Sequence, residues 1–216
     1  MLKYWFPMTD GTSKNQGISD VKITDTNITA NDNGKLGKCC EFNGTDSQIL
    51  WNDTDIGDVL MGDFTICFWI YDTKGAARSD YFTTYNLSVA NVGFSIEKNA
   101  NKTFRLYWQG NPDYSIPTAT FVVPDSEWVH MCVVHQDSDM KVYANGELLV
   151  ETTVGTYTAD KVKAYTKAAL GRDTRTTTPT FSGFMNDFRL YDEALSPKLI
   201  KEISKGMVCH YTLNEN

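Results

Sequence analysis

Apolar and polar residues alternate with a period of two through most of this chain, in short runs separated by Gly, Asn and Asp. That period places successive side chains on opposite faces of a strand, so the pattern predicts many short β-strands. Asp63–Ile70 is the clearest run. Phe64, Ile66, Phe68 and Ile70 share one face, and Thr65, Cys67, Trp69 and Tyr71 share the other. Both faces are apolar, which predicts a strand covered on both sides in a two-sheet packing. Glu127–His135 predicts a second long strand, with Trp128, His130, Cys132 and Val134 on one face. Shorter strands are expected at Lys3–Phe6, Val21–Thr24, Cys40–Gly44, Ser47–Trp51, Tyr81–Tyr85, Gly93–Glu97, Thr103–Trp108 and Tyr165–Gly171. Residues 10–38 otherwise read as polar loop. Met140–Ala144 and Glu147–Val150 flank Asn145-Gly146, a hairpin signal because both turn positions favour positive φ.

Phe181–Tyr191 is the most informative run. Strict alternation puts Phe184, Asn186, Phe188 and Leu190 on one face and Met185, Asp187, Arg189 and Tyr191 on the other. A helix is expected over Pro197–Lys205, with Ser196 as N-cap, Pro197 in the first turn and Gly206 as the stop. Many short strands and one small helix predict an all-β fold, an antiparallel two-sheet jelly-roll sandwich with a short C-terminal helix.

Composition narrows the picture. A chain of 216 residues suits one large β domain. The net charge of -7 argues against nucleic-acid binding, which needs a basic surface. No stretch has the length and apolarity of a membrane span, so membrane insertion is not expected. The N-terminal run is interrupted by Pro7 and Asp10 and does not read as a signal peptide. The cysteines, Cys39, Cys40, Cys67, Cys132 and Cys209, are odd in number and lack a CxxC pair, so reduced structural thiols are expected.

Four segments, in order over residues 39–206, resemble laminin G-like domains of the concanavalin A-like jelly-roll kind. They are Cys40-Glu-Phe-Asn-Gly44, Phe64–Ile70, Glu127–His130 with Val142–Gly146, and Phe181 through Ile203. The ending Ser204–Leu213 is also similar to segments of bacteriophage virion proteins that carry such domains. The resemblance implies a domain over 1–206 and a separate tail over 207–216. Lys3–Asp10 and Val208–Glu215 echo each other. Either they are two similar strands, or the tail begins a second copy that pairs with a neighbouring subunit.

The functional expectation is a non-catalytic structural or adhesion module of a phage virion, displayed on capsid or fibre and binding host or environmental glycans. Its partners would then be other virion proteins or identical subunits, and its location the virion, assembled in the host cytoplasm. The alternative is a stand-alone lectin-like carbohydrate-binding protein. A glycoside hydrolase is the third reading. Related glucanases use a Glu-x-Asp-x-x-Glu strand, which this chain lacks. His130 and Cys132 share a face with Trp128 and Val134, which reads as core, not as a metal site.

Calcium is the candidate cofactor. Relatives that bind it use an Asp-Asp pair in the last strand. Here Asn186 and Asp187 occupy those places, and Asn43 and Asp46 are expected to approach from the first turn. A sugar site needs an aromatic platform with polar neighbours. Trp108, Tyr107, Gln109, Asn111 and Tyr114 supply that chemistry at a strand end and loop, with core packing the competing reading for Trp108. Trp51 is a second, weaker candidate.

Overall fold

The computed structural model describes residues 1–85, 93–109, 114–154, 167–173 and 181–206, without the side chains of residues 85, 109 and 114–120. The tail at 207–216 and its expected pairing strand lie outside the described residues. The order of elements is β1 (Leu2–Phe6), β2 (Ile23–Thr26), β3 (Thr29–Asn31), β4 (Cys39–Asn43), β5 (Gln48–Asn52), α1 (Ile56–Met61), β6 (Phe64–Asp72), β7 (Ser79–Tyr85) and β8 (Gly93–Lys98). Then follow β9 (Thr103–Gln109), β10 (Tyr114–Val122), β11 (Trp128–Gln136), β12 (Asp139–Ala144), β13 (Glu147–Thr153), β14 (Lys167–Leu170), β15 (Ser182–Tyr191) and α2 (Pro197–Ile203).

Two antiparallel sheets face each other. The eight-stranded sheet runs β13-β12-β11-β6-β15-β4-β3, with β1 also paired to β15. The seven-stranded sheet runs β10-β9-β8-β7-β14-β5-β2. Neighbouring strands β4 and β5 therefore enter different sheets. The space between is filled by aromatic side chains, among them Phe6, Trp51, Phe68, Phe82 and Phe188, with ring centroids 5.1–6.2 Å apart. β6 is buried along both faces, as its sequence requires. The hairpin turn falls on Asn145 (φ 50) and Gly146 (φ 82). Ser196 caps α2 by accepting the Leu199 N–H.

Strict alternation fails within β15. β15 carries a bulge between Asn186 and Arg189, with Asp187 in the left-handed region at φ 53. The Asp187 N–H leaves the ladder and donates to the Pro7 carbonyl. The extra residue reverses the faces beyond it. Phe184 and Asn186 point outward, whereas Phe188 and Leu190 point into the core with Met185. The loop expected over 10–38 holds two short strands, β2 and β3, where the sequence marks one. The helix α1 and strand β10 also carry no clear sequence signal.

The expectation of reduced thiols is corrected for one pair. Cys67 and Cys132 stand directly opposite on β6 and β11, with Cα atoms 4.1 Å apart, and form a disulfide. They lie beneath α2, against Val134, Tyr143, Ile200 and Ile203. Sixty-five residues separate them in sequence, which hides the pairing. Cys39 and Cys40 are free and buried; burial pushes their thiols up to about 11 and about 12.

Candidate functional site

The outward face of the seven-stranded sheet holds a charged array of two arginines and three carboxylates. Register builds it. Glu97 on β8 pairs with Asp80 on β7 and Arg105 on β9, and Ser95 pairs with Thr83 and Tyr107. The alternate residues Phe94, Ile96 and Leu106 face the core. Arg78 reaches Asp80 at 2.7 Å, Glu97 at 2.9 Å and Asp173 at 3.4 Å. Arg105 donates to the other Glu97 oxygen, and its guanidinium lies 5.3 Å from the Tyr107 ring centroid. Ser95 donates to Glu97 at 3.3 Å. The carboxylates are almost wholly buried, while Arg78 remains 38% and Arg105 28% exposed. Burying several carboxylates requires compensating cations, and the two arginines supply them. Tyr107 is half-buried beside them.

This array redistributes the residues expected to bind sugar. Tyr107 lies on the outward face. Trp108 does not: it is 2% exposed and packs on Phe64, Phe94 and His135 with centroids 5.4–6.0 Å away. The expected platform at Trp108 is therefore corrected, because adjacent strand residues face opposite ways and Trp108 is the inward one. Trp51 is likewise buried, against Tyr4 and Phe6. Gln109 ends β9 and Tyr114 opens β10, with the backbone of Tyr114 paired to Trp108. Asn111 lies outside the described residues.

The expected calcium ligands do not converge. Asn186 uses its carbonyl oxygen to accept the Lys35 and Leu36 N–H groups at 2.8 and 3.3 Å, and its amide donates to the Lys38 carbonyl at 2.7 Å. Asp187 accepts from the Trp5 indole at 2.7 Å and from Arg189 at 2.8 Å. Asn43 caps its own turn, accepting from Thr45, Asp46 and Ser47, and donates to Asp46 at 2.7 Å. Asn43 lies opposite Ser182, four residues from Asn186, so the two pairs are about 13 Å apart along β15. These residues do not fit one calcium ion. Among the described residues no group of three His, Cys, Asp or Glu is arranged to hold a metal. His130 lies in the interior as expected, at 5.2 Å from Trp69, and burial with the nearby Arg189 charge pushes it down to about 3.

A two-sheet sandwich with this strand order is widely shared, so the sequence itself decides the family. The family model described as concanavalin A-like lectin/glucanases superfamily, of laminin G type, matches residues 43–201. The chain belongs to this superfamily. Solved structures agree on the fold. Domain 4 of AbnA, an extracellular GH43 arabinanase from Geobacillus stearothermophilus, solved with arabinotriose, is similar with TM-score 0.73 and 21% identity, over 94% of this chain and 98% of that one. The receptor-binding domain of botulinum neurotoxin C/D mosaic serotype is similar with TM-score 0.72 and 13% identity, over 95% of this chain and 51% of that one. A botulinum neurotoxin type C structure, reported with cell entry dependent on two ganglioside molecules, gives TM-score 0.71 at 12% identity over the same shares. The chain thus spans about half the length of the toxin domains. No curated protein sequence matches it.

The charged array of this superfamily member is only partly visible in sequence. Alternation in Gly93–Lys98 and Thr103–Gln109 places Ser95, Glu97, Arg105 and Tyr107 on one face. It says nothing of the register that unites them with Arg78, Asp80 and Asp173.

Proposed function

We propose that this chain is a non-catalytic glycan-binding module that serves as a displayed adhesion piece of a bacteriophage virion. The observation that carries glycan binding is the array of Arg78, Glu97 and Arg105 beside Tyr107 on the outward face of the seven-stranded sheet. Sugar hydroxyls need fixed charged or polar partners, and sugar C–H faces need an aromatic surface. Both are present on one face. The likeness to an arabinanase domain solved with arabinotriose points toward the same ligand class.

The carboxylates favour binding over hydrolysis. A glycosidase acid must present a proton to the scissile oxygen. Both Glu97 oxygens instead meet guanidinium groups, and one Asp80 oxygen is held by Arg78 at 2.7 Å. The virion setting rests on the similarity of Ser204–Leu213 to phage virion segments, and identical subunits or other virion proteins are the partners it implies. A stand-alone lectin shares the glycan chemistry and differs in assembly. No described helix is long and apolar enough to cross a membrane.

A glycan array tests the binding claim, read with the wild type and with Tyr107→Ala. Retention of defined oligosaccharides by the wild type, weakened in the variant, is the expected result. A blank array overturns the claim. Light scattering on the purified chain separates the settings: a virion piece assembles, and a stand-alone lectin does not need to.

A further inference from the structure

The opposite side of the sandwich carries a second arrangement with sugar-binding chemistry. Backbone pairing sets five residues of the eight-stranded sheet in one transverse row: Trp128, Tyr71, Phe184, Glu41 and Thr29. Their strand neighbours Val129, Ile70, Met185 and Cys40 fill the core, so the row faces outward. The three rings form a continuous patch, with centroids 5.6 Å apart for Trp128 and Tyr71, 5.3 Å for Tyr71 and Phe184, and 6.4 Å for Trp128 and Phe184. All three are half-buried and belong to neither apolar core. Beyond Trp128 the row ends, because β12 pairs with β11 only from Met131 onward.

Polar groups border the rings. The Glu41 carboxylate continues the row and accepts from Asn31 at 2.9 Å. One step along the strands, Thr73 and Ser182 share a hydroxyl contact of 3.0 Å, and Asn43 stands opposite Ser182. On the other side the Trp128 indole donates to the Asn33 carbonyl at 3.3 Å.

We infer that this row is a second carbohydrate-binding strip, on the face opposite the arginine array, and that it takes a neutral or amine-bearing oligosaccharide. The rings supply a stacking surface for sugar C–H faces. Glu41, Ser182 and Thr73 supply hydroxyl partners along a strip about 14 Å from Trp128 to Glu41. Charge selects the class of sugar. The carboxylate in the row is Glu41, Glu127 is exposed beside Trp128, and Lys38 is paired with Asp32. Lys35 lies over the Trp69 ring at 4.7 Å. An acidic glycan would meet like charge here, and an amino sugar would meet a counter-charge. The strip stands apart from the array around Arg105, so the two sites succeed or fail separately.

The test is a nuclear magnetic resonance titration of the whole chain with arabinotriose, with a glucosamine trimer and with sialyllactose, following the tryptophan indole N–H signals and the Tyr71 and Phe184 rings. The strip predicts that Trp128, Tyr71 and Phe184 shift with one or both of the first two sugars and not with sialyllactose. Trp128→Ala is expected to weaken that binding at least about tenfold, while Tyr107→Ala leaves it unchanged. Phe184→Thr, a substitution suited to a strand, provides the same reading if Trp128→Ala unfolds. Absence of shifts at Trp128 with all three sugars overturns the strip, as does a stronger response to sialyllactose. Shifts confined to Arg105 and Tyr107 remove the strip and leave the first site standing.

Discussion

The Lys98 ammonium lies 2.7 Å from the Asp72 carboxylate, and neither side chain has any exposed surface. Asp72 ends β6 in one sheet and Lys98 ends β8 in the other, so the pair ties the two sheets together. Tyr81 donates to the second Asp72 oxygen at 2.8 Å, and Lys98 also donates to the Gly75 carbonyl at 2.8 Å. Burial and the neighbouring carboxylate hold the Tyr81 hydroxyl well above its ordinary range. Lys98→Met strands the carboxylate without its cation. The expected loss is about 3–5 kcal/mol of folding stability, read from urea unfolding curves. Asp72→Asn combined with Lys98→Met is expected to recover part of that loss, because no unpaired charge then remains buried.

Trp108→Ala is a stability variant and not a binding probe. The indole fills the core between Phe64, Phe94 and His135, so removing it is expected to cost about 3–5 kcal/mol. Tyr107→Ala, one residue away on the outward face, is expected to cost far less. Thermal melts of the two variants side by side check the assignment of faces.

Asn186 clamps the loop at residues 35–38 through three hydrogen bonds. Asn186→Ala leaves those backbone groups without partners and is expected to destabilise by on the order of 3 kcal/mol. Hydrogen exchange at the Lys35 and Leu36 amides is expected to accelerate. Unchanged exchange there would assign the loop's order to other contacts.

His130 gives a pH signature. In the folded chain it is pushed down to about 3 from its ordinary 6.5 by burial, and then by the Arg189 charge. Between those values the unfolded chain binds more protons at this residue. Stability contributed by the neutral ring is therefore complete above about 6.5 and falls as pH drops toward 3. The slope approaches about 1.4 kcal/mol per pH unit. Unfolding curves across that window, compared with His130→Phe, are expected to show a shallower acid decline in the variant.

Residue patterns made the sandwich legible because period-two alternation needs no knowledge of neighbouring strands. Phe64–Ile70, the Asn145-Gly146 turn and Ser196-Pro197 each carry their structural reason locally. Pairings distant in sequence were not legible. Cys67 meets Cys132, and Tyr71 meets both Trp128 and Phe184, only once register is fixed. The bulge at Asp187 shows the same limit, since one residue in a left-handed conformation exchanges the faces of everything beyond it. Trp108 illustrates a related limit: sequence marks an aromatic residue at a strand end and leaves platform and core both open, and the inward face is set by Phe104 and Leu106 before it. The array around Glu97 joins β7, β8 and β9 to Arg78 and Asp173, which lie outside the strands, so single-strand patterns cannot assemble it.

The glycan array is the most direct test of the account. It predicts that the wild-type chain retains a defined subset of oligosaccharides and releases no shortened product from them. It also predicts that Tyr107→Ala, folded and of near-normal melting temperature, loses retention at the arginine face. An array blank for the wild type, or cleavage of the bound sugars, would contradict it.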